Sequence, residues 1–69
     1  MLGEQEAEVR EVRRFEIHGS PFADVTVVYP DQRIQTARLG AESIPEDLEA
    51  GDRVLVSSAA NMIVAIRRP

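Results

Sequence analysis

The chain has 69 residues, a net charge of −4 at pH 7 and no cysteine. A core of this size supplies little net stability, and the absence of cysteine excludes disulfides and thiolate metal sites as further sources of it. The apolar fraction of 43% is that of a folded domain, and no apolar run approaches the roughly 20 residues of a membrane-spanning helix. We therefore expect one soluble, cytoplasmic domain with no membrane partner.

The charge balance counts against nucleic acid as the partner. Proteins that bind nucleic acids neutralise phosphates with a surplus of basic residues, whereas this chain has 12 acidic and 8 basic residues. Aromatic side chains on which bases stack are also few, namely Phe15, Phe22 and Tyr29. A single-stranded nucleic-acid module is therefore the weakest of the alternatives.

The first predicted strand is Ala7–Ile17. Its first residue and Val9 share one face, Val12 falls on the other, and Phe15 returns to the first. A β-bulge near Arg10–Val12 reconciles these positions by inserting one extra residue. The bend that such a bulge introduces is what a small barrel needs in order to close.

A turn at His18–Pro21 leads to the clearest strand, Ala23–Tyr29, in which β-branched residues dominate. Pro30–Gln32 predicts the next turn, because proline presets the backbone for its second position. The hairpin partner is Arg33–Leu39. We expect Ala37 and Leu39 to be the residues of this strand that face the core.

The segment Ser43–Leu48 predicts a single helical turn, with Pro45 in its first turn and Gly51 after its end. Ile44 and Leu48 are four residues apart and can therefore enter the same core.

A fourth strand is predicted at Asp52–Ser57 and a fifth at Met62–Arg67. In the fifth strand the alternation places Met62, Val64 and Ile66 on one side.

The order of three strands, a short helical turn and two further strands predicts an all-β, five-stranded OB-type barrel, in which a helix or turn lies between strands three and four. An SH3-like barrel fits less well, because its helical turn precedes the last strand. We assign the barrel to residues 9–69. Residues 1–8 are mostly acidic and polar and predict a flexible or coiled-coil-derived lead-in.

No catalytic, metal or cofactor site is predicted. The single histidine, His18, falls in a turn, so the serine residues lack a base and a zinc site lacks ligands. The glycines are isolated, which excludes a glycine-rich phosphate loop. The acidic cluster does not have the spacing of a calcium loop and predicts a solvated surface. It consists of Glu46, Asp47, Glu49 and Asp52.

Arginine residues form the candidate partner-binding groups. One group lies on the first predicted strand and the other at the end of the last, so that barrel closure brings them near each other. Such a patch binds an acidic partner or a phosphate. The alternative is that interleaved glutamates neutralise it. The candidates are Arg10, Arg13, Arg14, Arg67 and Arg68.

Three segments resemble the OB domain of proteasome-activating AAA+ ATPases: Arg33–Leu39, Ser43–Val56 and Asn61–Ile66. These domains have a strand, an acidic turn that ends in glycine, an apolar strand, a short polar loop and a final apolar strand. The resemblance extends over most of the chain from Val9 onward, with the first hairpin matched only by pattern.

The resemblance implies a non-catalytic domain between a coiled coil and an ATPase module. Such domains assemble into a hexameric ring, through which unfolded protein substrate is threaded. We accordingly expect a homo-oligomeric domain of a longer protein, with unfolded protein as its substrate. The resemblance identifies no pore-lining residue in this chain.

The small chaperones of hydrogenase maturation share the Gly51–Val56 strand motif and the turn before it. Their function depends on a cysteine directly after the initiator methionine, where this chain has Leu2. A small-barrel protein-binding module similar to these chaperones is therefore the alternative function.

Overall fold

The computed structural model describes the backbone of residues 2–69 and the side chains of residues 3–69. Five antiparallel strands curl into a partly open barrel, and one 3₁₀ turn of three residues, Ala41–Ser43, lies between the third and fourth strands. The predicted all-β class is confirmed, as is the presence of one short helical turn between strands three and four. The strands are β1 (Leu2–Ile17), β2 (Ser20–Val28), β3 (Ile34–Gly40), β4 (Arg53–Ala59) and β5 (Met62–Arg67).

The sheet has the order β3-β2-β1-β4-β5, which is that of an OB-type barrel. Strand β1 pairs with β4 through its first half and with β2 through its second half. The edge strands β3 and β5 approach each other, and the Gln35 side chain crosses this seam by donating from Nε2 to the carbonyl of Asn61 at 3.0 Å.

Residues 2–8, predicted as a lead-in outside the barrel, form the first half of β1. Leu2–Glu8 pair with β4 residue by residue, and Ala7 is buried. The acidic side chains at positions 4, 6 and 8 are exposed because they alternate with inward positions, as a strand requires. Met1, the other part of the predicted lead-in, lies outside the described residues.

A bulge in β1 confirms the interruption predicted near Arg10–Val12. The register with β2 shifts between Val9 and Glu11, which leaves Arg10 as the extra residue. Val12 therefore returns to the inner side and packs against the core, whereas Phe15 moves to the outer side. The prediction that Phe15 shares the face of Val9 is wrong, because the extra residue reverses the side of every position after it.

The connection between β3 and β4 contributes two core residues, as predicted: Ile44 and Leu48 are buried. Its helical turn, however, lies at Ala41–Ser43 rather than Ser43–Leu48. Ile44 is extended, with φ −137° and ψ 158°, because a residue before proline is disfavoured in the helical region. Leu39 is buried and Ala37 packs against the core, so the predicted inner face of β3 is confirmed.

Strand β5 also contains a bulge, which corrects the predicted faces of this strand. Ser57 pairs with Ala65 and Ser58 with Ile63, so Val64 is the extra residue. Ile63 and Ile66 are buried, whereas Met62 and Val64 are exposed.

Candidate binding surfaces

Arg67 and Arg68 are engaged in ion pairs within the chain. Arg67 forms a two-pronged contact with Glu4, with Nε 2.9 Å from Oε2 and Nη2 3.1 Å from Oε1. Arg68 Nη2 lies 2.7 Å from Asp47 Oδ1 and 3.3 Å from Asp52 Oδ2. The hydrogen bond from Arg68 lowers the pKa of the Asp47 carboxyl. These two residues attach the end of β5 to β1 and to the connection before β4.

Arg14 also binds that connection, but through backbone atoms. It lies opposite the buried Ala23 in the β1–β2 ladder, and its Nη2 donates to the carbonyls of Glu46 and Leu48, each at 3.1 Å. Arg14 and Arg68 thus both bind the connection between β3 and β4 and hold it against the rest of the barrel.

Arg10 and Arg13 remain as exposed cations of the predicted set. Neither has a carboxylate at ion-pairing distance among residues 2–69. Arg10 is the bulge residue and lines a groove with Arg53, whereas Arg13 lies three residues further along β1, opposite Asp24. Arg10 also lines a groove with Arg14 and Leu48, so part of the predicted set stays together at the connection before β4.

A second surface, on the outer side of β1, β2 and β3, combines aromatic and charged residues. Two adjacent cross-strand rows form it: Arg13 opposite Asp24, which is opposite Arg38, and Phe15 opposite Phe22. We call these residues the aromatic–arginine face. The two phenyl rings are stacked, with centroids 6.1 Å apart and planes 17° apart, and both are half-buried.

Arg38 connects the two rows of this face. Its guanidinium carbon lies 4.7 Å from the centroid of the Phe15 ring. Its Nε and Nη2 donate to the two carboxylate oxygens of Asp24, at 2.9 and 3.2 Å. The hydrogen bond from Arg38 is the main cause that lowers the pKa of Asp24, and it raises the pKa of Arg38 in return.

A third surface is apolar and lies along the seam between β3 and β5. Ile34, Met62 and Val64 are exposed to 56%, 69% and 42%, and we call them the seam strip. No charged residue occurs in the stretches 34–37 and 54–66, which supply the strip and its neighbours in sequence.

The groove beside the seam is lined by polar side chains, which form hydrogen bonds and a cation–π contact with one another. The Tyr29 hydroxyl donates to Gln35 Oε1 at 2.7 Å, and the guanidinium of Arg33 lies 4.7 Å from the centroid of the Tyr29 ring. Arg33 Nη2 donates to Gln5 Oε1 at 3.2 Å. Burial raises the pKa of the Tyr29 hydroxyl, so this phenol stays neutral at physiological pH.

His18 lies in the two-residue turn between β1 and β2, with φ 50°. Within residues 2–69, no three histidine, aspartate or glutamate side chains are grouped as metal ligands. The described part of the chain also contains no helix with the length and apolar character needed to cross a membrane.

Sequence reasoning missed the aromatic–arginine face and the seam strip because each depends on a bulge. Two features of the sequence together predict the aromatic–arginine face. A bulge at Arg10 places Phe15 outside, and the three-residue turn after Tyr29 sets the register that pairs Asp24 with Arg38.

Comparison of the chain with protein-family models, with curated proteins and with solved structures finds no match.

Proposed function

We propose that this chain is a non-catalytic assembly module that contacts further copies of itself through the seam strip. The observation that carries the proposal is the exposure of Ile34 on edge strand β3 and of Met62 and Val64 on edge strand β5, two strands that approach each other at the seam. Grouped apolar side chains on a surface mark a site of protein contact, whereas single ones do not.

The charge distribution favours a second copy as the partner. Each copy has a net charge of −4, so two copies repel each other least when they meet through surfaces without charged side chains. The stretch from Val54 to Ile66 contains no charged residue, which makes the β4–β5 side the face on which copies meet at the lowest electrostatic cost. Burial of the strip contributes about 25 cal/mol for each Å² of apolar surface removed from water.

The resemblance to the OB domains of proteasome-activating AAA+ ATPases supports a ring as the form of this assembly. In that setting the module works in the cytoplasm, and the ring, hexameric in those ATPases, receives unfolded protein for a motor that lies elsewhere. The acidic turn that carries the resemblance ends at Gly51, whose φ of +95° suits glycine and whose N–H donates to the carbonyl of Val9.

Native mass spectrometry and light scattering over a concentration series test this proposal. We expect the wild-type chain to form oligomers and Met62→Asp to shift them to monomers, because the substitution places a charge in the contact. Ser20→Asp is the matched control, since it introduces the same charge at an exposed position at the start of β2. A wild-type chain that stays monomeric at its solubility limit would overturn self-assembly and favour the alternative of a monomeric protein-binding barrel.

A further inference from the structure

We propose that the aromatic–arginine face binds an extended polypeptide segment in which an aromatic side chain stands next to an acidic one. The proposal deepens the function above by naming the class of polypeptide held, but it uses a different surface from the seam strip.

The placement of the phenylalanines is the first observation. The chain has two phenylalanines and one tyrosine, and both phenylalanines lie on the outer side of the sheet. Aromatic side chains contribute the largest buried areas to protein cores, and a core this small has none from phenylalanine. Their position outside indicates that a partner uses them.

The orientation of Arg38 is the second observation. One side of its guanidinium lies over Phe15, and the Asp24 carboxylate holds two of its donors in the plane. The side chain of Arg38 is nevertheless 59% exposed, which leaves part of the guanidinium accessible to a partner. A planar group stacks on it without a prior rearrangement, and such preorganisation lowers the entropic cost of binding. The side chain of tryptophan, tyrosine or phenylalanine supplies this group.

The charge of the face is the third observation. Arg13 and Arg38 present two cations against the single carboxylate of Asp24, and Arg13 has no carboxylate at ion-pairing distance in the described chain. A carboxylate of the partner next to its aromatic residue completes this row. The neighbouring row carries Glu11, which limits the number of anions that the face accepts.

The same count of charges favours a peptide over nucleic acid. A single strand binds by the neutralisation of several successive phosphates, and Arg13 is the one cation of this face that is not already paired. A peptide with a single acidic residue next to its aromatic residue requires only one unpaired cation, which Arg13 supplies.

Fluorescence anisotropy with labelled peptides tests the proposal. We expect a peptide with a central Asp-Trp-Asp to bind more tightly than equal-length peptides with Lys-Trp-Lys or Asp-Ala-Asp. Arg13→Gln and Arg38→Gln should each weaken binding by about threefold, and their combination by about tenfold. Arg53→Gln is the matched control, because Arg53 is exposed and has no ion pair among the described residues.

Equal loss of affinity in Arg13→Gln and Arg53→Gln would overturn the proposal, as would equal affinities for the three peptides. Tighter binding of a thymidine oligonucleotide than of the acidic peptide would replace it with nucleic-acid binding. Amide shifts in the wild-type chain give a second measurement, and we expect them to be largest at Phe15, Phe22 and Arg38. Met62→Asp should bind the peptide as well as wild type does, so failure of peptide binding and failure of assembly are separate results.

Discussion

Arg38 stacks on Phe15 and forms a two-pronged ion pair with Asp24 at the same time. The Asp24 carboxylate fixes the plane of the guanidinium, and the Phe15 ring packs against one side of it. This arrangement uses three strands, because Phe15 lies on β1, Asp24 on β2 and Arg38 on β3. The outer side of the sheet thus holds a guanidinium in a fixed orientation.

The pKa of Asp24 should report this arrangement. The hydrogen bond from Arg38 lowers that pKa below the usual value of 3.8, so in Arg38→Gln it should return toward 3.8. A carboxyl with a lowered pKa stabilises the folded state above its unfolded pKa, and this contribution is lost as the pH falls through the folded pKa. Arg38→Gln should therefore reduce stability at pH 7, and the part of this loss that comes from the ion pair should shrink as the pH falls through the folded pKa of Asp24.

Carbon-detected NMR titration of the aspartate carboxyls measures this prediction directly. The control is Arg33→Gln, which keeps the backbone N–H of residue 33, the largest cause of the lowered Asp31 pKa, but removes the side-chain donor. It should raise the pKa of Asp31 in part and leave the pKa of Asp24 unchanged. An Asp24 pKa that does not change in Arg38→Gln would show that the pair does not persist in solution.

Tyr29 should make the barrel sensitive to alkaline pH. Burial raises the pKa of its hydroxyl above 10.0, so the stabilisation is complete below pH 10 and is lost as the pH rises through the folded pKa. Tyr29 is the single tyrosine, so tyrosinate absorbance reports this group alone. Tyr29→Phe should lose about 1 kcal/mol at pH 7 with the hydrogen bond to Gln35 and should show a weaker decline in stability above pH 10.

Arg14 should matter for stability more than the other arginines of β1. Arg14→Ala removes the donor of two backbone carbonyls in the connection that supplies Ile44 and Leu48 to the core, and we expect a loss of about 1 kcal/mol. Arg10→Ala is the control, because Arg10 is the exposed bulge residue. Urea unfolding of both variants measures the difference. Equal stabilities would mean that the connection is held by its apolar residues alone.

The five strands could be predicted from the sequence because alternation and turn residues are local signals. The sides of Phe15 and Val64 could not, because each follows or forms a bulge. In β5 both choices of register place an apolar residue in the core, so alternation does not show where the extra residue lies. The ion-pair partners of the arginines could not be predicted either. Arg67, for example, pairs with Glu4, which is 63 residues away in the sequence.

The turn between β4 and β5 offers a test of the backbone itself. Ala60 and Asn61 have φ of 50° and 66°, and they form a two-residue loop that requires positive φ at both positions. Alanine is strained in this region, so Ala60→Gly should stabilise the fold by about 0.5 kcal/mol, net of the entropy that glycine adds to the unfolded chain. Ala59→Gly, the same change in the adjacent strand residue, should instead destabilise it by about 0.5–1 kcal/mol. Urea unfolding of both variants checks the opposite signs, and destabilisation by both would contradict a left-handed conformation at Ala60.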